Sequence, residues 1–261
     1  MHTEKMRIVT WNVNSVRARL PRLLEWLGTH RPDVVCLQET KVIDESFPRE
    51  YIEDAGYDVV MHGQKSYNGV AILAKHRLED VVKGFPDDPP EAQARAIAAT
   101  VGGFRILNLY VPNGDTVGHE KYHYKLAWLE RLRSYLQSSF DPADSLIVCG
   151  DFNITFDDRD VHDPDAWRDK ILCSVPEREL LESLIEFGLT DALRRFHEEG
   201  GIYTWWDQRR RAYSRDDGLR IDHVLLGTAA MSQCTAVEVD RAAAGGPGAS
   251  DHAPVTADFD A

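Results

Sequence analysis

The sequence predicts an α/β fold in which two β-sheets pack face to face with helices outside them, and three observations carry that expectation. Apolar runs of strand length recur from Ile8-Val9-Thr10-Trp11 near the start to Ala253-Pro254-Val255 near the end. Residues 96–99 and 104–107 flank Gly102-Gly103, the pattern of an antiparallel hairpin. A long amphipathic stretch lies in each half, so helices fall between blocks of strands. With 261 residues, 43% of them apolar, the chain can bury a large core. No Pro/Gly/Ser-rich linker divides it, and residues 1–261 are expected to form one domain.

Taken in order, the first strand ends at Trp11 and runs into Asn12. Ser15 can cap a helix in which Leu20, Leu23, Leu24 and Leu27 fall at i, i+3, i+4 and i+7. Pro21 is expected to start a new turn there and Pro32 to stop the helix. Residues 33–38 read as a buried strand, residues 47–55 as a short helix, and residues 57–61 and 70–73 as further strands. A helix over residues 120–137 should place Tyr124, Leu126, Leu129, Leu132 and Leu136 on or near one face, and residues 146–149 return to strand. Residues 153–176 are charged and aperiodic, which predicts a long surface loop of the sort that carries function. A helix over 177–187 has Leu180, Leu181, Leu184 and Ile185 inside, and three strands are expected beyond it. The glycine-rich residues 242–249 read as a loop at the site. Both halves hold a strand closing in an Asn- or Asp-bearing turn, a faint repeat of unequal spacing.

A formal net charge of −13 and a pI near 5.2 argue against a protein that coats nucleic acid by bulk attraction, and leave open an enzyme that grips a few phosphates locally. Cys36, Cys149, Cys173 and Cys234 have no CxxC spacing, so reduced core thiols are expected. The first residues lack the apolar centre of a signal peptide, and no stretch approaches the about 18 apolar residues of a membrane span. The expectation is a soluble cytoplasmic monomer.

Five segments put a polar side chain where a strand begins or ends. Asn12, Glu39 and Asp151 close strands, with Asn153 two residues beyond; Asp222-His223 and Asp251-His252 open them. If those ends meet at one edge, oxygen ligands and an imidazole converge on a site suited to a hard divalent cation and a phosphate. Each residue also has a plainer role. Glu39 could be a solvated loop acid, Asp151 could close an Asx-turn on its own backbone, and Asp251 and His252 could cap the last strand. Two separated acids nevertheless suit hydrolysis of a phosphodiester, because a water nucleophile needs a carboxylate whose charge is not wholly spent on a metal. A neighbouring carboxylate such as Asp222 would favour the charged form of His252, whose role as base or cationic stabiliser stays open.

The motifs Trp11-Asn12-Val13-Asn14-Ser15, Leu37-Gln38-Glu39-Thr40-Lys41, Tyr110-Val111-Pro112-Asn113-Gly114, Gly150-Asp151-Phe152-Asn153, Thr204-Trp205-Trp206-Asp207, Gly218-Leu219-Arg220-Ile221-Asp222 and Ser250-Asp251-His252-Ala253-Pro254 run in order along the chain. Together they resemble the exonuclease III family of abasic-site endonucleases, in the endonuclease/exonuclease/phosphatase superfamily. The resemblance implies a four-layered α/β sandwich, two mixed β-sheets flanked by helices. It also implies a Mg²⁺- or Mn²⁺-dependent hydrolase that cuts duplex DNA 5′ to abasic sites, with 3′–5′ exonuclease and 3′-phosphatase or phosphodiesterase action. By the same resemblance Glu39 is the main metal ligand, with Asn12, Asp151, Asn153, Asp251 and His252 around the ion. Asp151 would position or deprotonate the attacking water, and Asn153 would orient it and the phosphate. His252, paired with Asp222, would meet the phosphoryl oxygens, and Tyr110 and Asn113 would contact the phosphate or leaving group.

Contact with DNA must come from local charge in so acidic a chain. Arg17, Arg19, Lys41, Lys121, Lys125 and the run Arg209-Arg210-Arg211 are candidates, with ordinary solvated surface as the alternative. Trp205 and Trp206 could pack against an extruded abasic sugar or serve as core or rim aromatics. Gln208 and Asp216-Asp217 stand where the family commonly has a tyrosine and a basic residue, which predicts a looser grip on duplex. Rival readings are a small-phosphoester phosphatase, a secreted nonspecific nuclease and a catalytically silent binding module.

Overall fold

In the computed structural model, which describes residues 5–260 and of residue 210 the backbone alone, the chain opens with β1 (Lys5–Asn12), crosses over α1 (Val16–His30) and returns as β2 (Val34–Gln38). There follow α2 (Arg49–Asp54), β3 (Asp58–His62), β4 (Val70–Ala74), β5 (Glu79–Lys83), β6 (Ala96–Val101) and β7 (Phe104–Tyr110). A second crossover, α3 (Glu120–Ser139), leads to β8 (Leu146–Asp151). Shorter elements come next: α4 (Pro164–Trp167), α5 (Val175–Glu186), β9 (Thr190–Asp191), α6 (Ala192–Phe196), β10 (Trp205–Trp206), α7 (Ala212–Arg215) and β11 (Gly218–Leu219). The chain closes with β12 (Asp222–Leu226), α8 (Thr228–Gln233), β13 (Cys234–Val239) and β14 (Val255–Asp260).

Two six-stranded mixed sheets result, in the orders β13-β14-β1-β2-β4-β3 and β5-β6-β7-β8-β12-β9. Each has one parallel pair at its centre, β1 with β2 and β7 with β8, and each pair is joined by a helix, as a parallel connection requires. This strand–helix–strand unit occurs once in each sheet.

Alternation along β1 shows how the layers are built. Met6 and Ile8 join a core shared with Ile97, Ile106 and Ile147 of the other sheet, whereas Val9 and Trp11 face Leu23, Trp26 and Leu27 of α1. The second sheet does the same, sending Leu107 and Val148 outward against Trp128, Leu132 and Leu184 of α3 and α5. Three apolar cores therefore separate four layers, helix–sheet–sheet–helix. Gly102 and Gly103 turn the β6–β7 hairpin at φ 55° and 85°, a conformation that side-chain-bearing residues avoid. All four cysteines are buried and free.

Several expectations are corrected. Helix α1 runs through Pro21, because a proline in the second turn removes one backbone bond while the buried face of Leu23, Trp26 and Leu27 holds the helix together. β5 was not anticipated: it is a mostly exposed, charged edge strand with an irregular register, so it carries no apolar alternation. Tyr124 is exposed on α3, and Lys125 lies inward in its stead. The 153–176 segment contains α4 and buries Ile154, Asp160, Val161 and Leu172, so it is a packed wedge as well as a surface loop. Beyond residue 187 the described residues form six strands where three are expected, three of the six only two residues long.

Candidate active site

The parallel pairs explain why distant residues meet. In register Asn12 lies opposite Gln38, with Glu39 next in the chain, and Tyr110 lies opposite Asp151. β12 enters antiparallel with Asp222 opposite Asp151, and a bridge between Trp205 and His252 brings in the approach to β14. Closing ends and opening ends thus share one rim across both sheets. Gly150, at φ 145°, is required for this approach, since a Cβ there would lie 1.9 Å from the Leu109 carbonyl oxygen.

Asn12 is fully buried, and its Nδ2 donates to Glu39 Oε1 and to Asp151 Oδ2, both at 2.9 Å. Asp151 Oδ1 also accepts from the Asn153 backbone N–H at 2.9 Å, and Asn113 Nδ2 donates to Asn153 Oδ1 at 3.1 Å. His252 Nδ1 lies 2.9 Å from Asp222 Oδ2, while its Nε2 faces Asp151 Oδ2 at 3.8 Å. Asp251 accepts from Asn14 Nδ2 at 2.9 Å and from Trp205 Nε1 at 3.1 Å. Behind the rim Gln38 Nε2 donates to Asn108 Oδ1 at 2.7 Å, and Asn108 Nδ2 donates to the Leu37 and Ala71 carbonyls at 2.9 Å, an amide bridge between the sheets. Glu39 and Asn153 both sit in the left-handed region, at φ 52° and 53°, which for Glu39 costs of order 1–2 kcal/mol.

Burial pushes the Asp151 carboxyl up to about 7, against the lowering effect of His252 and Asn12. Burial also works against the His252 imidazolium, but Asp222, Asp151 and Asp251 outweigh it and raise that group to about 10. For Glu39, burial is overcome by the charge of Lys41 and by hydrogen bonds from Lys41 and Asn12, so its pKa is lowered. Burial, then Glu39 and Asp151, holds Tyr110 well above the usual phenol range. The site therefore offers an anionic carboxylate, a tunable one and a cation.

Ligand atoms of Glu39, Asp151 and His252 lie within 4.8 Å of one another, an acidic group of metal-binding dimensions. The two carboxylates suit a hard cation. A protonated His252 committed to Asp222 has no lone pair to give, so it fits an anion better than a metal. Asn12 meets both acids through its N–H groups while its Oδ1 accepts from the Asn14 N–H, and in this orientation it bridges the ligands. Asp251 and Asn153 have their oxygens engaged by Asn14, Trp205 and Asn113.

These side chains open on a cavity of about 620 Å³ whose lining also includes Trp205, Trp167, Ile171, Tyr110 and Asn113. Asn14 carries no signal beyond its place in the first motif, and Trp167 and Ile171, inside the aperiodic 153–176 segment, carry none. Arg17, Arg209 and Arg211 are exposed, while the Arg210 side chain lies outside the described residues. Lys41 pairs with Glu39 at 2.7 Å, and Lys121 lies 3.4 Å from Asp115.

Two candidates for DNA contact are overturned. Trp206 is 1% exposed and packs with Tyr213 under Arg241, because adjacent strand residues face opposite ways and only Trp205 faces the cavity. Lys125 is 0% exposed and cannot reach solvent. Asp216 is held by Trp206 Nε1 at 3.1 Å and Arg241 at 3.0 Å, and Asp217 pairs with Arg215 at 2.6 Å, so both acids are locally countered. In the 242–249 loop the Ala249 carbonyl accepts from Gln208 at 3.1 Å and from Arg19 at 3.4 Å, and Arg22 ties the Ala243, Gly245 and Pro247 carbonyls to α1.

The family described as Endonuclease/Exonuclease/phosphatase matches residues 9–252. Exodeoxyribonuclease III of Haemophilus influenzae is 35% identical over 266 residues, covering 97% of this chain and 100% of that protein. The 3′ phosphatase NExo from Neisseria, solved with product DNA hairpin, superposes with a TM-score of 0.94 at 41% identity, covering 98% of this chain and 100% of that one. An AP endonuclease from Archaeoglobus fulgidus superposes with a TM-score of 0.94 at 38% identity over the same shares.

Proposed function

The chain belongs to the exonuclease III branch of the endonuclease/exonuclease/phosphatase family and is a DNA repair nuclease, and on that premise we propose that it cuts the phosphodiester 5′ to abasic sites in duplex DNA. The same site would trim blocked 3′ ends as an exonuclease and phosphatase, with Mg²⁺ or Mn²⁺ as cofactor. The observation that carries this reading is Asn12 joining one carboxylate from each sheet, Glu39 and Asp151, within reach of the Asp222–His252 pair.

Glu39 would hold the cation, which supplies Lewis acidity toward a phosphoryl oxygen when bound. Asp151, with burial setting its pKa near neutrality, takes the proton of the attacking water. Asn153 orients that water, and the His252 imidazolium, steadied through Nδ1 by Asp222, stabilises charge that builds on the phosphoryl oxygens. Tyr110 and Asn113 stand on the leaving-group side. Trp205 forms a wall against which an extruded sugar without a base can pack. The buried free thiols support a reducing, cytoplasmic setting, and no helix among the described residues is long and apolar enough to cross a membrane. We read the active species as a monomer.

A labelled duplex with one abasic analogue, incubated with Mg²⁺ or with EDTA beside a plain single strand and a small phosphoester, tests the proposal. Incision 5′ to the lesion only with metal is expected; phosphate release from the small ester alone would reject it. In the same assay Trp205→Ala should raise KM for the abasic duplex roughly tenfold, the worth of one lost apolar wall, with Trp205→Phe, which keeps a ring but loses the bond to Asp251, between it and the parent. An unchanged KM for Trp205→Ala would remove this residue from the substrate pocket.

A further inference from the structure

Lys125 sits on α3 with an ammonium wholly removed from water, which a lysine tolerates only when all three of its N–H donors are met. They are met by the Glu177 carboxylate, by the Asn153 carbonyl at 2.6 Å and by the Asn113 carbonyl at 3.1 Å. Glu177 in turn accepts from the Leu172 and Ser174 backbone N–H groups, both at 3.1 Å, and from Ser174 Oγ at 2.6 Å. The cation and its acid cancel at long range, so this pair does little to draw in a phosphate. Its effect is geometric. Asn113 and Asn153 follow different strands, β7 and β8, their side chains touch each other, and one buried ammonium pins both of their peptide groups. One of those peptides belongs to Asn153, which turns the chain in the left-handed region that asparagine adopts readily.

We propose that Lys125 is a positioning residue for phosphodiester hydrolysis, fixing the peptides of Asn113 and Asn153 so that both amides address the reacting phosphate; this rests on the function proposed above. Truncating Lys125 alone would strand a buried carboxylate, so the informative variant is the charge-neutral pair Lys125→Met/Glu177→Gln, with Lys125→Arg beside it. The experiment is a mutant cycle with Asn153→Ala on an abasic duplex, recording kcat, KM, the Mg²⁺ midpoint and the melting temperature.

We expect kcat to fall roughly 10- to 100-fold, the scale of a misplacement of about 1 Å, while the Mg²⁺ midpoint stays within about twofold. On the Asn153→Ala background the further loss should shrink to less than about threefold, because the residue through which Lys125 acts is gone. Equal losses on both backgrounds, or an undiminished kcat, would overturn the proposal. If the neutral pair does not fold, Lys125→Arg keeps the charge and alters the reach, and the same non-additivity is required of it. A parent enzyme that fails to incise refutes the proposed function instead, so the two failures are distinguishable.

Discussion

Asp151→Asn should lower kcat on an abasic duplex by roughly 10²–10⁴, the usual worth of a general base, while the melting temperature changes by only a few degrees. The substitution keeps shape and removes a charge that burial already disfavours, so stability has little to lose. The pH profile carries the sharper statement. Activity of the parent should rise through about 7 as Asp151 ionises and fall through about 10 as the His252 imidazolium is lost. A divalent cation favours the ionised acid, so the acidic limb should move to lower pH as metal saturates. Profiles of kcat at limiting and saturating Mg²⁺ measure this. Persistence of the acidic limb in Asp151→Asn, or a loss in kcat below tenfold, would assign the proton to another group.

Asp160→Asn should be the most destabilising single change outside the apolar cores, by about 3–5 kcal/mol, or roughly 6–20 °C in melting temperature. Asp160 is fully buried, and its two oxygens meet Arg220 at 2.7 and 3.0 Å, Arg194 at 2.5 Å and the Phe156 N–H at 2.9 Å. Losing its charge leaves Arg220 paired with Asp191 and Arg194 bonded to the His197 and Glu199 carbonyls, with its ion pair to Asp160 gone. Burial alone would raise the Asp160 pKa, but Arg220, His223 and Arg194 together lower it to about 2. Because the folded value lies below the ordinary 3.8, its contribution is complete above 3.8 and is lost as pH falls toward 2. His223 acts earlier. Burial and then Arg220 depress it to about 4 from 6.5, so the unfolded chain binds the extra proton first and stability falls as pH drops through that window. Urea melts from pH 7 to 2 should show the parent losing stability in both ranges and Asp160→Asn lacking the lower one. A melting shift under 2 °C would show that the cluster relaxes without cost.

Much of the rim was legible because strand alternation and turn chemistry are local. A run of apolar residues ending in Asn12, Glu39 or Asp151 declares both a strand and where its polar end lies. What could not be read depends on register and depth between distant segments. Lys125 looks solvated because helical lysines usually are, and only the arrival of Glu177, 52 positions later, makes its burial tolerable. Arg220 and Asp160 lie 60 residues apart and carry no shared pattern. Trp205 and Trp206 announce that one faces each way but not which. Charged β5 and the uninterrupted α1 escaped for the opposite reason: local propensity there is outweighed by pairing and packing with neighbours.

No ladder joins the two sheets, yet each contributes one of the two acids. Their separation is consequently gauged by the thickness of the interior, by how Ile8, Ile72, Ile106 and Ile147 interdigitate and by the amide crosspieces that Asn108 makes with Gln38, Leu37 and Ala71. Adding or trimming a methyl group there, far from any reacting atom, would dilate or narrow the gap between the two acids, and with it the size of ion they suit. In this architecture the choice of ion can drift with oily residues that never meet it.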